Sequence, residues 1–236
     1  MIAGDVKQGD NLVETLLTSY QDLQDGDIVV FTQKIISKQE GQNVSLANVC
    51  PTLLASGIAS EYGKDARVVQ LILDQSRRIV RMSGGIIISE TVHGLICANA
   101  GVDESNVTEG YATLLPRDAD RSAETLRREI KEKAGKDVVV LISDTFGRPF
   151  RQGQTNVAIG IAGMKGLLDY AGTQDDFGRV LRVTAIAVAD ELCSAAELVM
   201  GKSLHVPVAI IRNYAKAGRS GSIGDIIRTR STDLFR

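Results

Sequence analysis

The residues best equipped for chemistry are Asp144 and Thr145, which stand where an apolar run, Asp137 to Ile142, gives way to Gly147, Arg148, Pro149, Arg151 and Gly153. Apolar runs bounded by turn formers read as strands, so the pair is expected at the mouth of a strand. A carboxylate and a hydroxyl offer hard oxygens to Mg²⁺ or Mn²⁺. The guanidiniums of Arg148 and Arg151 straddle a proline that stiffens the turn, and such forks fit a phosphate or carboxylate in bidentate fashion. A second oxygen-rich stretch, Ala98 to Val107, holds Asp103 and Asn106. If the fold brings Asp103, Asn106, Asp144 and Thr145 together, they make an oxygen site for a divalent ion. Lys34 and Lys38 lie just past another apolar run, Ile28 to Thr32. They read either as phosphate ligands balancing that ion or as an exposed charged turn.

The same inventory argues against other chemistries. There are two histidines, His93 and His205, neither with a ligand partner nearby in sequence, which disfavours a zinc hydrolase. The cysteines, Cys50, Cys97 and Cys193, are far apart and form no CxxC, so they are expected to be small buried hydrophobes rather than a disulfide or metal framework. Neither GxxxxGK[ST] nor a post-strand GxGxxG occurs, and Met200-Gly201-Lys202-Ser203 ends a helical pattern rather than opening one. No serine, histidine and acid share a nucleophile's spacing. The formal net charge of −2 lacks the concentrated positive charge that nucleic acid requires. Met1 to Asp10 has no apolar leader core, and no apolar run approaches the ~18 residues of a membrane span. A cytoplasmic protein that binds neither nucleic acid nor membrane is expected.

The elements that must position these residues alternate irregularly. Helices are predicted over Asn11–Tyr20, Ser45–Tyr62 (broken near Pro51 and Gly57), Val68–Asp74, Asp120–Ala134 (capped by Asp120 or Ser122 and stopped by Gly135) and Asp190–Met200. Strands are predicted over Ile28–Thr32, Gly85–Glu90, Val92–Cys97, Asp137–Ile142, Val180–Ala187 and Val206–Ile211. Arg77, Arg78 and Arg81 read as a solvated cluster. Without a strict βαβ repeat, the pattern points to an α+β fold with mixed or antiparallel sheets and packed helices. The whole chain, 1–236, reads as one unit. Two subdomains, 1–135 and 136–212, share a core, and a Gly-, Ser- and Arg-rich tail, 213–236, is expected to be mobile.

Ile142 to Gly153 with Val157-Ala158-Ile159-Gly160, Ala98 to Val107, Gly26 to Gly41, and Val188 to Leu192 through Met200-Gly201-Lys202 together resemble the coenzyme F420-0:γ-glutamyl ligase family, over roughly Gly4 to Arg212. The resemblance implies an intertwined α+β homodimer. It further implies a GTP-dependent ligase that joins L-glutamate to coenzyme F420-0, with a divalent metal, Mg²⁺ or Mn²⁺, and stimulation by K⁺ in some members. Carried over by motif, Asp103 and Asp144 match metal-binding carboxylates and Thr145 a ligand of a second metal. Gln33, Lys34, Lys38 and Asn106 match GTP contacts, and Gly4, Asp5, Val6 and Lys7 sit where a further GTP-contacting segment lies. Asp144, Arg148 and Arg151 are the expected catalytic group. Against that pattern the N-terminal strand is shortened, Lys202 stands where archaeal members carry a metal-binding Glu, and Asn213 replaces the usual Gly. The competing readings are a ligase or phosphotransferase with another acceptor, and a non-catalytic GTP-binding protein.

Overall fold

The structure is a computed structural model that describes residues 6–215, 218 and 220–233. In chain order the elements are α1 (Leu12–Ser19), β1 (Ile28–Thr32), α2 (Gln33–Gln39), β2 (Asn43–Ser45), α3 (Leu53–Tyr62), α4 (Ala66–Asp74), β3 (Ser76–Ser83), β4 (Ile86–Thr91) and β5 (Ile96–Ala98). They continue with β6 (Tyr111–Thr113), α5 (Ala119–Ala134), β7 (Val139–Arg148), β8 (Arg151–Ala162), β9 (Leu168–Asp169), β10 (Ala185–Ile186), α6 (Val188–Met200) and β11 (Val208–Ile211). The mixture of helices with several sheets is the α+β architecture read from the sequence.

The main sheet has the order β11-β1-β7-β8. β1 and β7 are parallel, and the other two pairings are antiparallel. The central strands are apolar throughout because both faces are covered. Val29, Phe31, Val140 and Ile142 pack on one side with Leu12 and Leu16 of α1 and Leu126 and Ile130 of α5. Ile28, Val30, Val139 and Leu141 pack on the other with Val188, Leu192 and Cys193 of α6. A separate core joins α3 and α4 to Ile87, Val102, Ala112 and Leu114, beside the three-stranded sheet β3-β4-β5. The candidate boundary at Gly135 is the cap of α5, and strands from both sides of it share the main sheet.

A bulge shapes β8. Ile142 pairs with Gly160 but Ser143 pairs with Ala158, so Ile159 is an extra residue, which resets the inward–outward alternation. Amides near the bulge find carboxylates: Ala158 N donates to Asp190 Oδ1 (2.9 Å) and Ile161 N to Asp120 Oδ1 (2.8 Å). Asp120 is therefore not the cap of α5. Asp118 is, accepting from Arg121 N at 3.0 Å.

Several elements differ from the sequence reading. β7 does not stop at Ile142 but runs through Asp144 to Arg148, where Pro149 and Phe150 turn it into β8. Gln33 to Gln39 is a helix rather than a turn. Gly57 sits inside α3 without breaking it. Arg77, Arg78 and Arg81 lie on β3, whose side chains alternate between half-buried and exposed, and Arg78 Nε donates to Glu90 Oε2 at 2.8 Å. Of Val180–Ala187 only Ala185–Ile186 is a strand, because the preceding residues form an exposed, turn-rich loop. Cys97 and Cys193 are buried as expected, but Cys50 is exposed. Within the tail, Ile223, Ile226 and Ile227 pack against the main cores.

Candidate functional site

The parallel pairing of β1 with β7 sets Thr32 beside Ser143. Both chains therefore deliver their next residues, Gln33 and Lys34 on one and Asp144 and Thr145 on the other, to the same end of the sheet. Open sheets bind ligands beyond the carboxyl ends of parallel strands. There the structure has a cleft of about 1130 Å³. Its walls include Val6, Gln33, Lys34, Lys38, Asp103, Asn106, Asp144 and Thr145. The two carboxylates that sequence reasoning placed 41 positions apart thus face one cavity. A smaller hollow of about 380 Å³ between α1 and β11 has no carboxylate in its wall among the described residues.

Asp103 is delivered by a bent segment. Asn99, Ala100 and Gly101 all have positive φ (53, 51 and 72°), a conformation that costs non-glycine residues about 1–3 kcal/mol each. At Gly101 a Cβ would lie 2.6 Å from Leu115, so only glycine fits. Backbone bonds between Asp103 and Thr113, at 3.0 and 2.8 Å, pin the carboxylate's base. Its Oδ2 accepts from Lys34 Nζ (2.6 Å) and Ser105 Oγ (2.9 Å), and its Oδ1 from Ser105 N (2.7 Å). Burial alone would raise this carboxyl, but those bonds prevail and hold it below its ordinary value.

Asp144 is the opposite case. Burial above all pushes its carboxyl up to about 6, and the negative charge of Asp103 adds to this; the Thr145 amide, Lys202 and Lys34 pull the other way. Its Oδ1 accepts from Thr145 N at 2.8 Å. Thr145 Oγ1 donates to Asn156 Oδ1 at 2.7 Å and accepts from Lys202 Nζ. Asn156, buried, donates from Nδ2 to Glu197 Oε2 at 3.0 Å. Cys97 also lines the cleft, but burial and then Asp144 push its thiol up to about 12, so it is no nucleophile near neutral pH.

A match to the family described as F420-0:Gamma-glutamyl ligase spans residues 2–213. The chain belongs to that family. A "Coenzyme F420:L-glutamate ligase" of Methanothermobacter thermautotrophicus is 45% identical over 98% of this chain and 94% of its own length. Proteins of the same description from Methanopyrus kandleri and Methanocaldococcus jannaschii are 44% and 43% identical, each over 98% of this chain and 93% and 92% of their own lengths.

Of the expected family site, most residues gather in the cleft and some do not. Arg148 and Arg151 face each other across the tip of the β7–β8 hairpin, outside the cleft wall. Arg148 Nη2 donates to Gln152 O at 3.0 Å. A clamp by these two on a ligand in this chain's own cleft is therefore not what the geometry offers. Lys7 is exposed and outside the wall, its amide donating to Asp10 Oδ2 at 2.8 Å. Gly4 and Asp5 lie outside the described residues. Gln33 is buried, donating to Ser37 Oγ (2.6 Å) and Leu114 O (3.2 Å) while it lines the cleft. Residue-by-residue reading missed Asn156, Glu197 and His205, all in the wall. Only the β7–β8 register, which sets Asn156 opposite Thr145, could have drawn the first of them in. Among the described residues, no three His, Cys, Asp or Glu side chains gather as a metal cluster. Nor does any helix there have the length and apolarity to cross a membrane.

Proposed function

We propose that this chain joins L-glutamate to coenzyme F420-0 at the expense of GTP, through an acyl phosphate on the coenzyme's terminal carboxylate. What carries the reading is the convergence of Asp103, Asp144, Lys34 and Lys38 on one cleft, in a chain of this family. A carboxylate is a poor electrophile. Moving the γ-phosphoryl group of GTP onto it releases GDP and gives an acyl phosphate. The amine of glutamate then attacks the acyl carbon, losing a proton and expelling phosphate.

Such transfers depend on positioning and charge neutralisation more than on a nucleophilic side chain. The cleft suits that demand. Lys34 and Lys38 stand one turn apart on α2, in the wall with Asn106 and Val6. Lys34 Nζ is held by Asp103 Oδ2, Ser105 O and Ser105 Oγ, and would reach a phosphate oxygen by exchanging one of these. The donor set suits a divalent ion: Asp103 and Asp144 would be its hard-oxygen ligands, and Asp144 is a carboxylate whose charge burial disfavours and a cation would stabilise. Mg²⁺ or Mn²⁺ held there would neutralise phosphate charge. The expected homodimer, K⁺ stimulation and cytoplasmic location belong to this proposal as implications of the family resemblance. The test is release of GDP and phosphate. It is expected only when F420-0 and glutamate are both present, and release that ignores F420-0 would point to another acceptor.

A further inference from the structure

One cation of the cleft is part of the chain. Gly201 ends α6 with φ 56° and turns the backbone so that Lys202 follows directly on the helix terminus. The unsatisfied carbonyls there favour a positive charge. The Lys202 ammonium donates to Oγ1 of Thr145, the residue next to Asp144 on β7. The hydroxyl it meets is fixed on its other side. Thr145 donates its one proton to Asn156 Oδ1 (2.7 Å), and Asn156 donates from Nδ2 to Glu197 Oε2 (3.0 Å) and accepts from Ser194 Oγ on its backbone carbonyl (2.7 Å). A polar relay thus runs from Lys202 through Thr145 and Asn156 to Glu197, each donor pointing the same way. A divalent ion on Thr145 would have to displace the ammonium that already occupies the hydroxyl's lone pair.

We propose that Lys202 is the resident cation of this corner: its ammonium, rather than a second metal ion, serves Thr145, and the cleft takes one divalent ion, at Asp103 and Asp144. The inference rests on the metal reading proposed above. It makes Thr145 a positioning residue for Lys202. It also means that part of the positive charge lining the cleft is fixed in the chain and independent of metal concentration.

Binding of Mn²⁺ alone, followed through the paramagnetic resonance signal of the free ion, tests this with wild type, Asp144→Asn, Thr145→Val and Lys202→Glu. Wild type is expected to bind one ion. Asp144→Asn should lose it, Thr145→Val should keep it, and Lys202→Glu, which turns the cation into a ligand, should gain a second. Wild type binding two ions, one of them lost in Thr145→Val, overturns the assignment. So does a Lys202→Glu variant that still binds one, an outcome that leaves the metal reading standing. Absence of bound Mn²⁺ from every protein overturns both. Lys202 is exposed, so Lys202→Glu is not expected to disturb folding; the Thr145→Val arm does not depend on it.

Discussion

Replacing Asp144 by Asn should make the protein more stable while removing its activity. The Asp144 carboxyl rises from 3.8 to about 6, chiefly through burial. At ~1.4 kcal/mol per tenfold change, its charged form costs the fold about 3 kcal/mol at pH 8. The sign follows from proton binding. With a folded value above the unfolded one, the native state holds more protons between pH 3.8 and 6, so wild-type stability falls as pH rises through that window and levels off above it. Asn removes the charge at nearly constant volume and still accepts from Thr145 N. Without divalent ions, Asp144→Asn should therefore gain up to about 3 kcal/mol at pH 8, or about 6–12 °C in melting temperature for a chain of this length. The gap should shrink towards zero by pH 4. Urea and thermal unfolding at pH 8, 6 and 4, beside a ligation assay, read this directly. A variant less stable than wild type at pH 8, a gap that ignores pH, or wild-type ligation would each refute the reasoning.

Lys34→Ala breaks a pair whose Asp103 partner is 45% exposed; stability should change by no more than about 1 kcal/mol, while ligation falls roughly tenfold or more, as unfolding and initial-rate measurements would reveal. Gly160→Ala forces a Cβ to 2.5 Å from the Ala119 carbonyl oxygen, so a loss of about 1–3 kcal/mol in urea unfolding is expected from overpacking between β8 and α5. Arg212→Ala strips Asp27, 1% exposed, of a guanidinium bonded at 2.9 Å to each carboxylate oxygen. The melting temperature should drop by about 5–10 °C at pH 7. Because that bond holds the Asp27 carboxyl below 3.8, the difference should narrow as pH falls below 3.8.

The apolar runs of β1 and β7 were legible because strands buried on both faces need no polar alternation; α1 was legible from its helical spacing, α5 from its charged faces and capping residues, and α6 from its alanine content and closing Gly201. The continuation of β7 through Asp144 was not. Beyond Ile142 the residues are polar and glycine-rich, and only pairing with β8 keeps them extended. α2 was hidden for a similar reason: seven residues form no helix alone, and Ile35 and Ile36 hold it by packing on the main core. That Asp103, Asp144 and Lys34 gather in one cleft could be anticipated from their residue types, and their order along the chain carried the family resemblance. That Arg148 and Arg151 would stand off the cleft could not be read, since it depends on where the hairpin turns. Lys202 was legible only as a departure from the family's metal-binding Glu; its bond to Thr145 comes from one glycine-capped helix end reaching a strand 57 positions away.

Mass spectrometry of the products formed from F420-0, GTP and L-glutamate tests the central claim most directly. The account predicts F420-0 carrying one or more added glutamyl residues, with GDP and phosphate released in step with each addition. Unmodified F420-0 recovered from a folded, metal-loaded enzyme, or the same product formed without GTP, would contradict it.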